Sequence, residues 1–279
     1  MWYNLPMIKF TVDISECVSC GSCVAICPIK ILELDAEKHP KAIEGREEYC
    51  INCGHCACVC PKGALSLESM PIDELKELPE GWRLSPKEIE PFFKGRRSIR
   101  AYKEDLVEKP VIEKIIDIAR YAPSGINRQS VYWAVVHDPK KVQELSGLTM
   151  EWVKTFINEK SPIAESLRFE GLVKSWESGE DPICRHAPHV AMVYGLKEDM
   201  LAHAACTIAM AHFELVALPF GLGACWAGYL QMALSAYAPA RKSAGLSSKI
   251  TCHGAMLFGR PKYEFNCIPS RNDPRIIWR

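Results

Sequence analysis

The sequence predicts an α+β protein in two parts: a small cysteine-rich domain, then a larger α+β domain with a central sheet covered by helices. Three observations carry that prediction. Nine of the fourteen cysteines fall before Pro61. A charged stretch punctuated by Pro71, Pro79, Gly81, Pro86 and Pro91 follows, and such punctuation marks a linker. Beyond it, short strand-like apolar runs alternate with longer segments of helical spacing, the pattern of a sheet covered by helices. At 279 residues the chain exceeds the usual size of one domain. The expected boundaries are 1–68 for the first domain, 69–85 for the linker and 86–279 for the second domain.

Hydrophobic residues at 48% and charged residues at 24% are ordinary for a soluble globular protein. With Lys+Arg and Asp+Glu both at 34, no net field draws the chain to nucleic acid, so an anion site must come from a local cluster such as Arg96 and Arg97. The start, MWYNLPMIKF, lacks the basic residues and unbroken apolar stretch of a secretory signal, so a cytoplasmic location is expected. Cysteines in a reducing compartment serve as ligands rather than disulfides.

Within the first part, Ile8 to Val12 and Ile31 to Leu34 read as strands beside the cysteine runs. In the second, Pro110 suits a first helical turn, and Val111, Ile112, Ile115, Ile116 and Ala119 recur at helical spacing until Ala-Pro-Ser-Gly breaks the helix near Tyr121. Val131 to Val136, Val190 to Tyr194 and Ala255 to Phe258 read as buried strands. Met150 to Cys184 is long for a connection and reads as helices forming a lid over a substrate face. The longest apolar stretch, Met200 to Leu218, carries His203, His212 and Glu214, whereas a membrane span is nearly free of ionisable groups over ~20 residues. It reads as a core helix with Asp199 as its N-cap, and no membrane role is expected.

Cys17, Cys20, Cys23 and Cys27 precede Pro28 in the pattern C-x2-C-x2-C-x3-C-P, and Cys50, Cys53, Cys56 and Cys60 repeat it before Pro61. Three thiolates at this spacing wrap three irons of one 4Fe-4S cube, while the fourth points away and closes the other cube. Cys17, Cys20, Cys23 and Cys60 are therefore assigned to one cluster, and Cys50, Cys53, Cys56 and Cys27 to a second. Structural zinc sites separate two C-x2-C pairs by a longer loop, which these runs do not match. Residues 1 to about 68 resemble the bacterial two-cluster ferredoxins, including the small Gly21 and Gly54 that let backbone amides approach the sulfurs. The resemblance implies a ferredoxin-like domain that moves single electrons. Cys58, lying between two ligands, reads as a small buried hydrophobe, and His55 as a surface residue.

Four separated segments of the second part are Arg96-Arg-Ser-Ile-Arg100, Ala122-Pro-Ser-Gly-Ile-Asn127 with Gln129, Gly221-Leu-Gly-Ala-Cys-Trp-Ala-Gly228, and Pro269-Ser-Arg271 with Ile276 to Trp278. In this order, from about Arg83 onward, they resemble the nitroreductase family of FMN enzymes. FMN ends in a phosphate best met by planar Arg donors and a hydroxyl, a role that Arg96, Ser98 and Arg271 fit. Reduced flavin carries negative charge near N1 and O2, where the resemblance places Arg100. It also implies that Pro123, Ser124, Gly125 and Asn127 contact the ring and ribityl chain, often from the second subunit of a homodimer. The 221–228 loop is expected against the isoalloxazine, with Gly223, Ala224, Cys225, Trp226 and Gly228 along it. Many family members place a Lys two positions before the tail Arg, where this chain has Pro269, so the phosphate site is expected to lean on Arg96 and Arg97.

The combined resemblance implies a nitroreductase-like oxidoreductase that takes electrons through two 4Fe-4S clusters to FMN and reduces a small electrophile: a nitro compound, a quinone or an activated alkene. Its chemistry needs no side-chain nucleophile, because hydride leaves from the flavin. No GxGxxG dinucleotide fingerprint is present, so an external donor such as a ferredoxin or an NAD(P)H-linked reductase is expected. An electron-relay or redox-sensing flavoprotein with a protein acceptor, and a flavin-consuming enzyme on the same fold, are the competing readings. A homodimer paired along the helix after Asp199 is expected. His186, His189, His203 and His212 lack ligand spacing and read as ordinary core or surface histidines, while Arg185 and His186, just after the lid, stand where a substrate could be met.

Overall fold

The structure, a computed structural model, describes residues 9–279. It divides into two compact units: one runs through Leu84 and takes in Gly125–Arg128, and the other holds Ser85–Ser124 and Gln129–Arg279.

The first unit contains β1 (Phe10–Val12), α1 (Ser22–Ile26), β2 (Leu32–Leu34), β3 (Pro40–Ala42), α2 (His55–Cys58) and β4 (Leu65–Leu67). Among the described residues β1 pairs antiparallel with β4, and β2 with β3. The expected first strand is observed from Phe10, and its proposed first residue, Ile8, lies outside the described residues. Both short helices begin after a glycine in the left-handed region, Gly21 and Gly54, each at φ 71. A side chain at either position would be strained, and at Gly54 it would also meet the Met70 sulfur at 2.9 Å. The apolar core is small: Ile31, Leu32, Ala57 and Leu65, together with Cys23 and Cys27.

The second unit opens with α3 (Pro86–Gly95), started by a capping box between Ser85 and Glu88. Pro91, read as linker punctuation, lies inside this exposed helix, which continues past it at the cost of one backbone bond. Next come α4 (Lys109–Ala119), β5 (Tyr132–Val136), α5 (Pro139–Asn158), α6 (Pro162–Ser166) and α7 (Phe169–Glu177). They are followed by β6 (His189–Leu196), α8 (Ala202–Ala217), β7 (Gly223–Trp226), α9 (Gly228–Ala236), α10 (Ala238–Ser243) and β8 (Ile250–Gly259). The sheet is antiparallel in the order β5-β6-β8-β7.

Strand periodicity explains why β6 and β8 are apolar along their length. Val190 and Met192 enter one core cluster while Ala191 and Val193 enter the other, and Leu257 and Phe258 divide in the same way. Side chains from α5, α7 and α9 fill the first cluster; α4 and α8 fill the second. Ile112, Ile115 and Ala119 give α4 its buried face.

Three expectations change. The stretch from Met150 to Cys184 is helical, but Met150, Trp152, Val153 and Phe169 are core residues rather than parts of a lid, because their helices carry an apolar face that the sheet buries. Asp199 does not cap α8: its carboxylate accepts from Leu201 N in the preceding turn and from Ser130, and the helix starts at Ala202. Residues 223–226 are not loop but the edge strand β7, paired with β8. Ala202–Phe220 is long and apolar enough to cross a membrane by composition; in the fold α8 packs on β6, β8 and α4 and buries Cys206, Met210 and Phe213.

Candidate functional site

In the first unit the cysteines surround two cavities. Cys17, Cys20, Cys23 and Cys60 line one, and Cys27, Cys50, Cys53 and Cys56 line the other, so each set takes three thiols from one run and the fourth from the other. The chain wraps each set by repeating one backbone device. Ser19 and Gly21 flank Cys20 in the left-handed region, and Asn52 and Gly54 flank Cys53 likewise. Such alternation turns successive N–H groups inward, toward an anionic centre.

Burial pushes the Cys23 and Cys50 thiols up, and Cys56 up to about 11. Cys20, beside Ser22 Oγ at 3.3 Å, is pulled down by that hydroxyl. Cys23, Cys50 and Cys56 are thus neutral until a metal displaces their protons. His55 is exposed, as read. Cys58 is exposed rather than buried, because it lies on the outer face of α2 while Ala57 turns inward. Asn127, expected beside a flavin, belongs here to the first unit: its Nδ2 donates to the carbonyls of Asn52 at 2.6 Å and Ile51 at 3.3 Å.

In the second unit the Arg96–Arg100 segment runs along β7. Ile99 N donates to Ala224 O at 2.9 Å, and the Ile99 side chain occupies the space that Gly223 leaves, where a Cβ would sit 2.2 Å from Ile99 Cγ1. The close approach at Gly223 is therefore to Ile99. Arg96 Nη1 pairs with Glu214 Oε1 at 2.7 Å, and Trp226 Nε1 donates to Glu214 Oε2 at 3.3 Å. Glu214, read as an interruption in an apolar helix, thus ties α8 to two expected site residues, a link no local pattern announces. Arg97 Nη1 donates to the carbonyls of Lys94 and Arg96, while its Nη2 is buried with no partner among the described residues.

Arg100, Cys225, Trp226 and Gly228 line an open cleft together with Arg185. Gly228 faces open space where a side chain would stand. Burial raises the Cys225 thiol, opposed by Arg100 and Arg185, and Ser98 bonds to it. Ser124 Oγ accepts from Gln129 N, in an exposed turn with Pro123 and Gly125. Arg271 is exposed and bonds to Ser270 O. Among the described residues of the second unit no hydrogen bond joins Pro123, Ser124 or Arg271 to the Arg96–Arg100 segment.

His189 and His137 serve packing. His189 is fully buried, its Nε2 accepting from Val107 N at 2.9 Å and its ring stacked on His137 at 4.4 Å. Burial lowers it to about 4.

Residues 93–260 match the family model described as the nitroreductase family, and residues 16–64 match the 4Fe-4S dicluster domain. A nitroreductase with bound FMN from Bacteroides fragilis has the same fold at 20% identity, with a TM-score of 0.57 over 69% of this chain and 99% of that one. One with bound FMN from Desulfitobacterium hafniense follows at 18% identity and 0.55, over 68% and 96%. A comparison with curated proteins finds no match. A ferredoxin-like N-terminal domain followed along the chain by a helix-covered antiparallel sheet defines an iron-sulfur oxidoreductase. More specifically, the chain belongs to the nitroreductase family.

Proposed function

We propose that this chain is an FMN-dependent oxidoreductase that takes electrons through two 4Fe-4S clusters to FMN and reduces a small electrophilic substrate such as a nitro compound, a quinone or an activated alkene. The observation that carries this reading is the sorting of eight thiols into two sets of four around separate cavities. Thiols spread around a cavity suit a cube, whereas a single ion needs ligands converging on a point.

For FMN, the bound flavin of the two fold neighbours supports the assignment, and residues of this chain fit it. The unpartnered Arg97 Nη2 is a buried donor that an anion would satisfy. Arg96 would share its guanidinium between a phosphate and Glu214, with Ser98 beside it. Arg100 sets a cation at the cleft where negative charge develops, and Trp226 closes one wall against water. When bound, a flavin accepts electrons singly or in pairs, which links one-electron clusters to two-electron reduction. A ferredoxin or an NAD(P)H-linked reductase is the proposed donor, the cytoplasm the proposed location, and a homodimer the proposed assembly. The roles of Pro123, Ser124, Gly125 and Arg271 belong to that dimer.

Anaerobically prepared protein is expected to hold about eight irons and eight sulfides per chain; about four would remove one cluster. A charge-assisted bond contributes ~1.5–3 kcal/mol, so Arg97→Ala is expected to loosen FMN by roughly ten- to a hundredfold. Unchanged FMN affinity takes Arg97 out of the site. Anaerobic turnover of nitro compounds or quinones tests the activity, and its absence with both cofactors loaded refutes the enzyme reading.

A further inference from the structure

The cleft beside β7 carries two cations and no anion. Arg100 and Arg185 line it, and none of the other lining residues is Asp or Glu. Among the described residues the Arg185 side chain makes no hydrogen bond or ion pair, although its backbone is held with unusual care. Arg185 and the next residue, His186, both lie in the left-handed region, at φ 56 and φ 51. Two consecutive non-glycine residues there are unfavourable and persist only when the surroundings over-determine them.

Asp181 does so. Its carboxylate is buried; Oδ1 accepts from Cys184 N at 2.9 Å, Ile183 N at 3.1 Å and the Ser146 hydroxyl at 2.5 Å, and Oδ2 accepts from His186 N at 3.1 Å. Ser146 is itself fully buried in α5, so the turn is braced against the core. The outcome of this bracing is one guanidinium presented at the cleft. Arg100 and Arg185 both line the cleft beside Cys225, so two like charges share one opening. An anion between or beside them relieves their repulsion, and the planar guanidinium matches a carboxylate in particular. The remaining wall, Ile183, Met232 and Leu257 with Tyr229, suits a carbon skeleton.

We propose that Arg185, held by Asp181 and Ser146, recognises a carboxylate on the substrate, so that the electrophile reduced at this cleft is a small organic acid. The proposal rests on the oxidoreductase reading for the word substrate, but not for the binding event. With Arg100 assigned to the flavin edge, Arg185 is the cation left for the substrate.

The test compares 4-nitrobenzoate with 4-nitrobenzamide, which differ chiefly in charge, on the anaerobic holoenzyme. Wild type is expected to favour the benzoate in kcat/KM by roughly ten- to a hundredfold, mostly through KM. In Arg185→Gln the ratio should fall to near one, and Arg185→Lys should recover part of it. Equal use of the two compounds by wild type, or an undiminished preference in Arg185→Gln, overturns the proposal. Calorimetric titration of oxidised holoprotein with 4-nitrobenzoate separates the two readings. Binding that needs Arg185 without reduction of either compound refutes the proposed activity and leaves the carboxylate site standing; no binding, or binding equally tight in Arg185→Gln, refutes the site.

Discussion

Among the described residues the core cluster of the first unit holds six buried residues, two of them cysteines of the paired runs, whereas the second unit closes an apolar layer on each face of a four-stranded sheet. Strands in the first unit are three residues long, while β8 in the second spans ten. The contrast separates two ways of stabilising a fold. Burial at roughly 25 cal/mol per Å² suffices when helices cover both faces of a sheet. A chain that must keep turning to present eight thiols has too few apolar positions for that, and its stability is expected to rest on the metal those thiols are proposed to bind.

Iron removal tests this contrast with the largest expected effect. Chelation after oxidation should unfold the first unit and leave the second, so limited proteolysis should cut within residues 13–75 and spare the sheet domain. A first unit equally protected without iron would show that its small core is enough. The reciprocal test is Phe213→Ala. Phe213 is fully buried between Trp133 and Phe258, at ring distances of 5.7 and 5.3 Å, and its truncation is expected to cost ~3–5 kcal/mol. The denaturation midpoint of the second unit should drop while iron content holds; lost iron in the folded variant would deny that the two cores are independent.

Acid should act next, and on the second unit. His189 is held neutral, its pKa lowered to about 4 by burial, because Nε2 must accept from Val107 N. The folded state therefore binds this proton less readily than the unfolded chain does. The resulting stability is complete above the unfolded value near ~6.5 and is lost as pH falls through about 4. At ~1.36 kcal/mol per unit this amounts to about 3 kcal/mol, and His189→Gln should flatten the acid limb of a stability–pH curve. A limb that keeps its slope in the variant assigns the acid sensitivity elsewhere. The smallest effect belongs to Cys58→Ala. The residue is exposed and lines neither cysteine cavity, so iron content should not change; losing a cluster would make Cys58 a ligand.

The cysteine runs and α4 were legible because their information is local. Ligand spacing fits within eleven residues, Cys17 to Cys27, and the apolar face of α4 is a period-3.6 pattern in a single segment. β7 was hidden because four residues flanked by glycines resemble a loop, and its strand character comes from β8, paired across some thirty residues. Local propensity also put the start of α8 at Asp199, where the carboxylate prefers a turn that Ser130 helps to hold. The exposure of Cys58 depends on which face of a single helical turn meets the core, and no spacing rule records that.

By itself the sequence determined the two-part α+β plan and supplied the thiols and arginines proposed as ligands. Only the tertiary structure decided that Arg96 pairs with a glutamate 118 positions away, that Arg97 keeps a buried donor without a partner, and that Asp181 sets Arg185 at a cleft. The physical reason is the range of the interactions. Metal spacing and helical periodicity act between near neighbours along the chain, whereas the partner of a buried charge is chosen by the packing that excludes water around it.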